Sequence, residues 1–318
     1  MEVRKVNGFF IIFVIGYIGL SVVCASIMAY AQNSGIAVPD WIQYVMSEGI
    51  ILLIAIIYMI VQKIDPIREI PYKRIGIVDV ILSLVAGYCL IPAVLLISNL
   101  SMLFSTNYLE EGTTTLLTYP FAMQVILLAV IPPLVEELIF RGIFFGSYRK
   151  AGMTGAALMS GLLFGCFHLN INQALYAFVI GIVFAYMVEA TGSLWSSVIA
   201  HFAVNTYSIG IVQILKMAGM YAQEGSVSET FENAESVAGQ STAITVVQIA
   251  MIAVIAAVFM MLAVLCIRTM AKRHGNLEKM KIQNVKLSHI KNYFTAPVIV
   301  GIVVCVMYMI MLEFSGTL

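Results

Sequence analysis

Six side chains in the middle of this chain have the types and spacing for acid–base chemistry: Glu136, Glu137, Arg141, His168, His201 and Asn205. Glu137 and Arg141 are four residues apart, which on a helix stacks them on one face within reach of an ion pair. Glu136 is turned about 100° from its neighbour and can meet a different partner. With Glu137 engaged, Glu136 is free to work as a base. Phe164 and His168 share a helix face by the same spacing, as do His201 and Asn205. A proton-accepting carboxylate, two imidazoles and an amide donor that does not titrate are the parts needed for attack by an activated water. No serine or cysteine nucleophile comes with the pattern; Cys166 is two residues from His168 and falls near the opposite face.

These residues sit in a chain that would be expected to exclude them. Of 318 residues, 61% are hydrophobic and only 11% charged, with a mean hydropathy of +0.98, against about 25% charged in soluble domains. The apolar residues fall in nine blocks, about 8–31, 42–61, 77–103, 119–146, 154–169, 172–189, 194–215, 243–267 and 295–313. Most have the roughly twenty residues that cross a hydrocarbon core, and none alternates with the period of a barrel strand. The block 154–169 is the shortest. The expected fold is therefore all-α: a polytopic membrane protein of about nine transmembrane helices. The first block follows Arg4 and Lys5 and ends on "AYA", but it is longer than a signal-peptide core and reads as a retained helix.

Charge sets the expected orientation. With the N-terminus inside, inner segments hold 15 of the 17 lysines and arginines, the exceptions being Arg141 and Lys216. Acidic residues mark the outer segments, among them Asp40, Glu110, Glu111 and Glu224. The positive-inside rule then gives N-in and C-out. The chain reads as one membrane domain, 1–318, with a mobile acidic outer loop at 217–242 and a basic inner loop at 268–292 that would touch the inner leaflet. A net charge of zero speaks against a nucleic-acid partner. The five cysteines all lie in apolar blocks and read as packing residues, as do the glycine pairs 142/146 and 161/165.

A charge at the centre of a membrane helix costs about 2.5–3.5 kcal/mol on insertion scales. Asp79 and Glu189 lie near inner helix ends, within reach of water, and Glu48 is within two turns of an outer end and reads as interfacial. The remaining polar set is concentrated in 136–205. At 1.5 Å per residue, Glu136 lies about 15 Å from the inner end of its helix, His168 about 21 Å and His201 about 12 Å. Such matched depth on three helices points to one site, open to the inner side if to either. Pro132 and Pro133 should break or kink the helix one turn before the glutamates. Buried polar residues can also simply join helices, and buried Glu, Arg and His also line ion pathways. A non-catalytic membrane scaffold and an ion-coupled transporter are the alternatives.

The motifs Glu136-Glu137-x-x-x-Arg141, Phe164-x-x-x-His168 and His201-x-x-x-Asn205, in that order over about 119–210, resemble the CAAX protease and bacteriocin-processing (CPBP, or Abi) family of intramembrane endopeptidases. The "TGSLW" at 191–195 fits the approach to the last motif. The resemblance implies a helical membrane peptidase whose site opens towards the cytosol. It implies that Glu136, assisted by His168, activates water, that His201 and Asn205 hold the water and stabilise the oxyanion, and that Glu137 and Arg141 orient the set. The substrate would be a membrane-associated protein or peptide, prenylated in some members and bacteriocin-related in others. A prokaryotic cell membrane is the expected location. A zinc ion held by Glu136, His168 and His201 would be the metal-dependent version. The two histidines lie on different helices, no H-E-x-x-H helix is present, and Arg141 would tie up Glu137 as the remaining base. The metal-free mechanism, without a cofactor, is the expectation.

Overall fold

The computed structural model describes residues 3–105, 119–217, 242–282 and 291–315. The expected mobile loop at 217–242 therefore lies, but for its two ends, outside the described residues, as does 283–290 of the basic segment. In hydrocarbon each backbone N–H and C=O must bond within its own segment, and every apolar block forms a helix. These are α1 (Val3–Asn33), α2 (Trp41–Val61), α3 (Ile77–Ser101), α4 (Phe121–Ala151), α5 (Met153–Phe167), α6 (Ile171–Thr191), α7 (Leu194–Met217), α8 (Thr242–Arg273) and α9 (Ala296–Ser315). No strand occurs among the described residues.

Among the described residues, eight of the helices are long and apolar enough to cross a membrane. The other, α5, has 15 residues, or about 22 Å at 1.5 Å per residue, and is too short to span by itself. Backbone turns in the left-handed half of φ space cut it at both ends, at Gly152 (φ 132°) and Leu169 (φ 54°). It still runs antiparallel to both neighbours. Ser160 Oγ donates to the Phe140 carbonyl of α4 at 2.8 Å. Gly161 lies against Phe178 and Ile182 of α6, and Gly165 against Ala174. A Cβ on Gly161 would stand 2.7 Å from the Phe178 carbonyl oxygen, so this close approach requires glycine. The short helix thus keeps the chain alternating.

One end of the bundle gathers the basic segments. There Tyr148 donates to Asn7 Oδ1 at 2.5 Å, and Asn7 Nδ2 donates to the Asn292 and Tyr293 carbonyls at 3.0 and 3.1 Å. At this end Leu194 N–H also meets the Pro71 carbonyl, and Asn276 meets that of Ala190. Asp79 and Glu189, expected to reach water, are instead 2% and 4% exposed. Asp79 pairs with Arg273 and His274 at 3.2 and 3.0 Å, and Glu189 with Arg149 at 2.7 Å. Buried carboxylates of this kind persist because each has a cationic partner.

The expected break at Pro132–Pro133 does not occur. α4 continues through it by widening, with π-helical turns at Val125–Val130 and Leu138–Phe145. Ile131 N–H reaches back to the Ile126 carbonyl, five residues away, so the chain stays helical past the missing proline donors. Between the basic end and the glutamates, Phe9, Phe10, Phe13, Phe140, Phe144 and Phe164 are buried. Their rings interlock, for example Phe13 with Phe167 at 4.6 Å and Phe140 with Phe164 at 5.0 Å between centroids. This plug is closed to solvent.

Candidate active site

Above the plug, α4, α5, α6 and α7 bring the motif residues together. Glu137 and Arg141 form the expected pair on α4, with Arg141 Nη1 donating to Glu137 Oε1 at 2.7 Å and neither side chain exposed. The guanidinium lies between two aromatic faces, 4.3 Å from the Phe164 ring centre and 5.1 Å from that of Phe184. Its Nε and Nη2 have no hydrogen-bond partner; cation–π attraction from the two rings takes the place of solvent. Gly181 of α6 makes room for it, since a Cβ there would stand 3.1 Å from Arg141 Nη2.

Glu137 also orients His201 of α7, whose Nδ1 is 3.0 Å from the same Oε1. With Nδ1–H donating to the carboxylate, the ring turns Nε2 towards Glu136 Oε2, 3.6 Å away. That gap is too long for a direct hydrogen bond and leaves both atoms able to share a water. The order Arg141–Glu137–His201–Glu136 therefore runs from a buried ion pair to a carboxylate with 15% of its side chain exposed.

His168 ends α5. Its Nδ1 donates to the Phe164 carbonyl at 2.7 Å, satisfying a helix-terminal acceptor and leaving Nε2 as the acceptor nitrogen. The following Leu169 is in the left-handed region, which costs a non-glycine residue about 1–2 kcal/mol. Asn170 then caps α6, accepting from Gln173 N–H at 3.1 Å. The turn is thus held on both sides of His168. The rings of His168 and His201 both pack edge-on to Phe164, at 4.6 and 5.8 Å.

Asn205 has a different immediate partner from the water-binding role expected for it. Its Nδ2 donates to the Leu128 carbonyl at 3.0 Å. In a helix that carbonyl would receive the N–H of residue 132 or 133, and both are proline. Asn205 thus fills the place of the absent donor and fastens α7 to α4, with one amide hydrogen still to give.

A cavity of about 570 Å³ opens over Glu136 and His168. Its walls come from α1 (Tyr17 to Ala25), α2 (Ser47, Glu48, Ile51), the α5–α6 turn and α9 (Tyr308, Leu312). Ala25 lies about 27 Å along α1 from Asn7, and Glu136 about 20 Å along α4 from Arg149. The cavity therefore occupies the half of the bundle away from the basic end, with the aromatic plug beneath it. A site opening on the same side as the basic loops was expected; this cavity is lined instead by residues in the opposite half of the bundle. Glu48, expected at an interface, is a cavity residue. Its place in the second turn of an apolar helix carried no spacing signal, because it has no i, i+4 partner in the set.

Among the described residues no group of three or more His, Cys, Asp or Glu is spaced to hold a metal ion as the side chains stand.

Comparison with known proteins locates the same segment. Residues 118–207 match the family model described as Type II CAAX prenyl endopeptidase Rce1-like. A Bacillus subtilis protein named "Putative membrane peptidase YdiL" is 30% identical over 105 residues, which is 33% of this chain and 43% of the relative. The chain thus matches less than half the length of that relative. No solved structure matches.

Proposed function

We propose that this chain, which over residues 118–207 belongs to the CAAX protease and bacteriocin-processing family, is an intramembrane endopeptidase that cleaves a membrane-associated protein or peptide with a glutamate-activated water. The observation that carries the mechanism is the 3.6 Å gap between Oε2 of Glu136, a residue of the cavity wall, and His201 Nε2. A water between them gives a proton to Glu136 as its oxygen adds to the scissile carbonyl carbon. His201, its Nδ1–H held by Glu137, accepts from the water through Nε2 and so keeps it in place, and the second amide hydrogen of Asn205 is the donor offered to the oxyanion. The carboxylic acid of Glu136 then passes the proton to the leaving nitrogen as the C–N bond breaks. His168, with Nε2 unprotonated, accepts from the water or from the incoming amide.

No step is routed through a metal. Arg141 neutralises Glu137 so that Glu137 orients His201 without itself competing for the water's proton. The positive-inside rule places the basic end in the cytoplasm, and the cavity then admits its substrate from the opposite half of the bilayer. That geometry favours a peptide presented from the outer leaflet or beyond over one anchored in the inner leaflet.

The test is cleavage of apolar peptides, prenylated and unmodified, by the full chain in proteoliposomes, read by mass. A general base contributes about 10²–10⁴ in rate, so Glu136→Gln should lower turnover by that factor without lowering the unfolding temperature. Equal cleavage by both proteins would exclude Glu136 as the base. Peptide binding without cleavage by either would favour the scaffold reading.

A further inference from the structure

The cavity contains a carboxyl group for which the hydrolytic assembly has no use. Glu48 of α2 lines it together with Glu136, and Glu48 Oε2 is buried with no hydrogen-bond partner. Buried polar oxygens are almost always bonded, and one left bare costs free energy unless something supplies the missing donor. Among the described residues no lysine or arginine lines the cavity. Arg141, the cation of this region, is committed to Glu137 beneath the floor. His168 has its Nδ1 on a carbonyl, and the Tyr17 hydroxyl is engaged with Ser47 at 3.0 Å. Two carboxyl groups thus line one low-dielectric space, and no lysine or arginine stands between them among the described residues. The rest of the wall includes Ile18, Val22, Ile51, Phe167 and Leu312, which suit an apolar chain.

We propose that Glu48 is a recognition residue for a cationic group, an ammonium or guanidinium, carried by an otherwise apolar peptide. The reading rests on the chain being a peptide-handling protein. It adds that the substrate places a lysine or arginine side chain, or a free N-terminus, beside Glu48 while the scissile bond lies over Glu136. The charged donor pairs with the Glu48 carboxyl group, and the shared negative field of the two carboxyls becomes favourable once a positive charge enters.

The experiment measures binding, so that it stands apart from catalysis. Fluorescent alanine–leucine peptides carrying one lysine at successive positions, or glutamine in its place, are titrated onto the full chain in phosphatidylcholine nanodiscs. A parallel pair compares free with acetylated N-termini and separates the two sources of ammonium. One lysine position or the free N-terminus should bind about tenfold or more tightly than its neutral counterpart, as expected of a charge-assisted hydrogen bond. That preference should fall below about threefold in Glu48→Gln, while the glutamine peptide binds as before and reports an intact fold. In Glu136→Gln, which should not cleave, the lysine preference should persist. As an independent measurement on the wild-type chain, dicyclohexylcarbodiimide should join the lysine peptide to Glu48, located by mass. A panel with no charge preference, a preference unchanged in Glu48→Gln, or coupling that bypasses Glu48 would each overturn the proposal. A lysine preference in a chain that cleaves nothing would sink the peptidase reading and leave this one standing.

Discussion

Arg141 is the residue on which the electrostatics of the site turn. It has no solvent, one carboxylate oxygen at 2.7 Å and two aromatic faces. Removing one partner of a buried pair leaves the other charge uncompensated and costs about 3–5 kcal/mol, whereas replacing both can be nearly neutral. Arg141→Met should therefore lower the unfolding temperature in detergent sharply, and adding Glu137→Gln should restore a good part of it. Activity should not return in the double variant, because His201 then lacks the carboxylate that orients it. If Arg141→Met melts with the wild type, the pair is not what holds this region. The same residues explain what could be read from the sequence. Glu137–Arg141, Phe164–His168 and His201–Asn205 are i, i+4 pairs, and that spacing is a local property of a helix. The approach of His201 to Glu137, and of Glu48 to the cavity, depends on how separate helices pack. Only the expectation of one shared site reached the first, and nothing in the spacing reached the second.

At the scale of the element, α4 shows why a correct physical rule led to a wrong local expectation. Adjacent prolines do remove two donors, but a π-helical turn redistributes the bonds and a side chain from another helix can replace a lost one. Here the replacement is Asn205, on the Leu128 carbonyl. Asn205→Ala should leave that carbonyl bare at a cost of about 1–3 kcal/mol, over and above any loss of turnover. Pro132→Ala supplies an N–H at the position four residues from Leu128, so the variant carrying both changes should unfold at a higher temperature than Asn205→Ala alone. Thermal unfolding of the three variants in detergent decides the matter. No gain from Pro132→Ala would mean that Asn205 serves the reaction and not the carbonyl. The helix limits were otherwise legible, since a continuous apolar run of sufficient length in hydrocarbon can only be a helix. The short block read at 154–169 is α5, Met153–Phe167; what the sequence did not show is how it ends, because a leucine in the left-handed region, as at Leu169, leaves no sequence mark.

At the scale of the molecule, two sequence expectations conflict once the helices are assembled. The lysine and arginine bias predicts that the loops after α2, α4 and α8 are cytoplasmic, while the family resemblance implied a site open to that same side. The structure has the cavity at the other end, above a plug of buried phenylalanines. Neither expectation could expose the conflict alone, because charge bias reports loops and the motifs report depth within helices, and only packing says where the empty space is. We take the charge bias as the guide, since it acts on insertion regardless of how the cavity is used. In a chain with its five cysteines replaced, Ser34→Cys and Lys73→Cys mark opposite ends, and both positions are exposed. A membrane-impermeant maleimide added to intact cells should label Ser34→Cys and should reach Lys73→Cys only after permeabilisation. Ser21→Cys, on the cavity wall, should follow Ser34→Cys, and a bound apolar peptide should slow its labelling. The opposite pattern would put the cavity in the cytoplasmic half despite the basic loops, and inner-leaflet substrates would then become the ones to test.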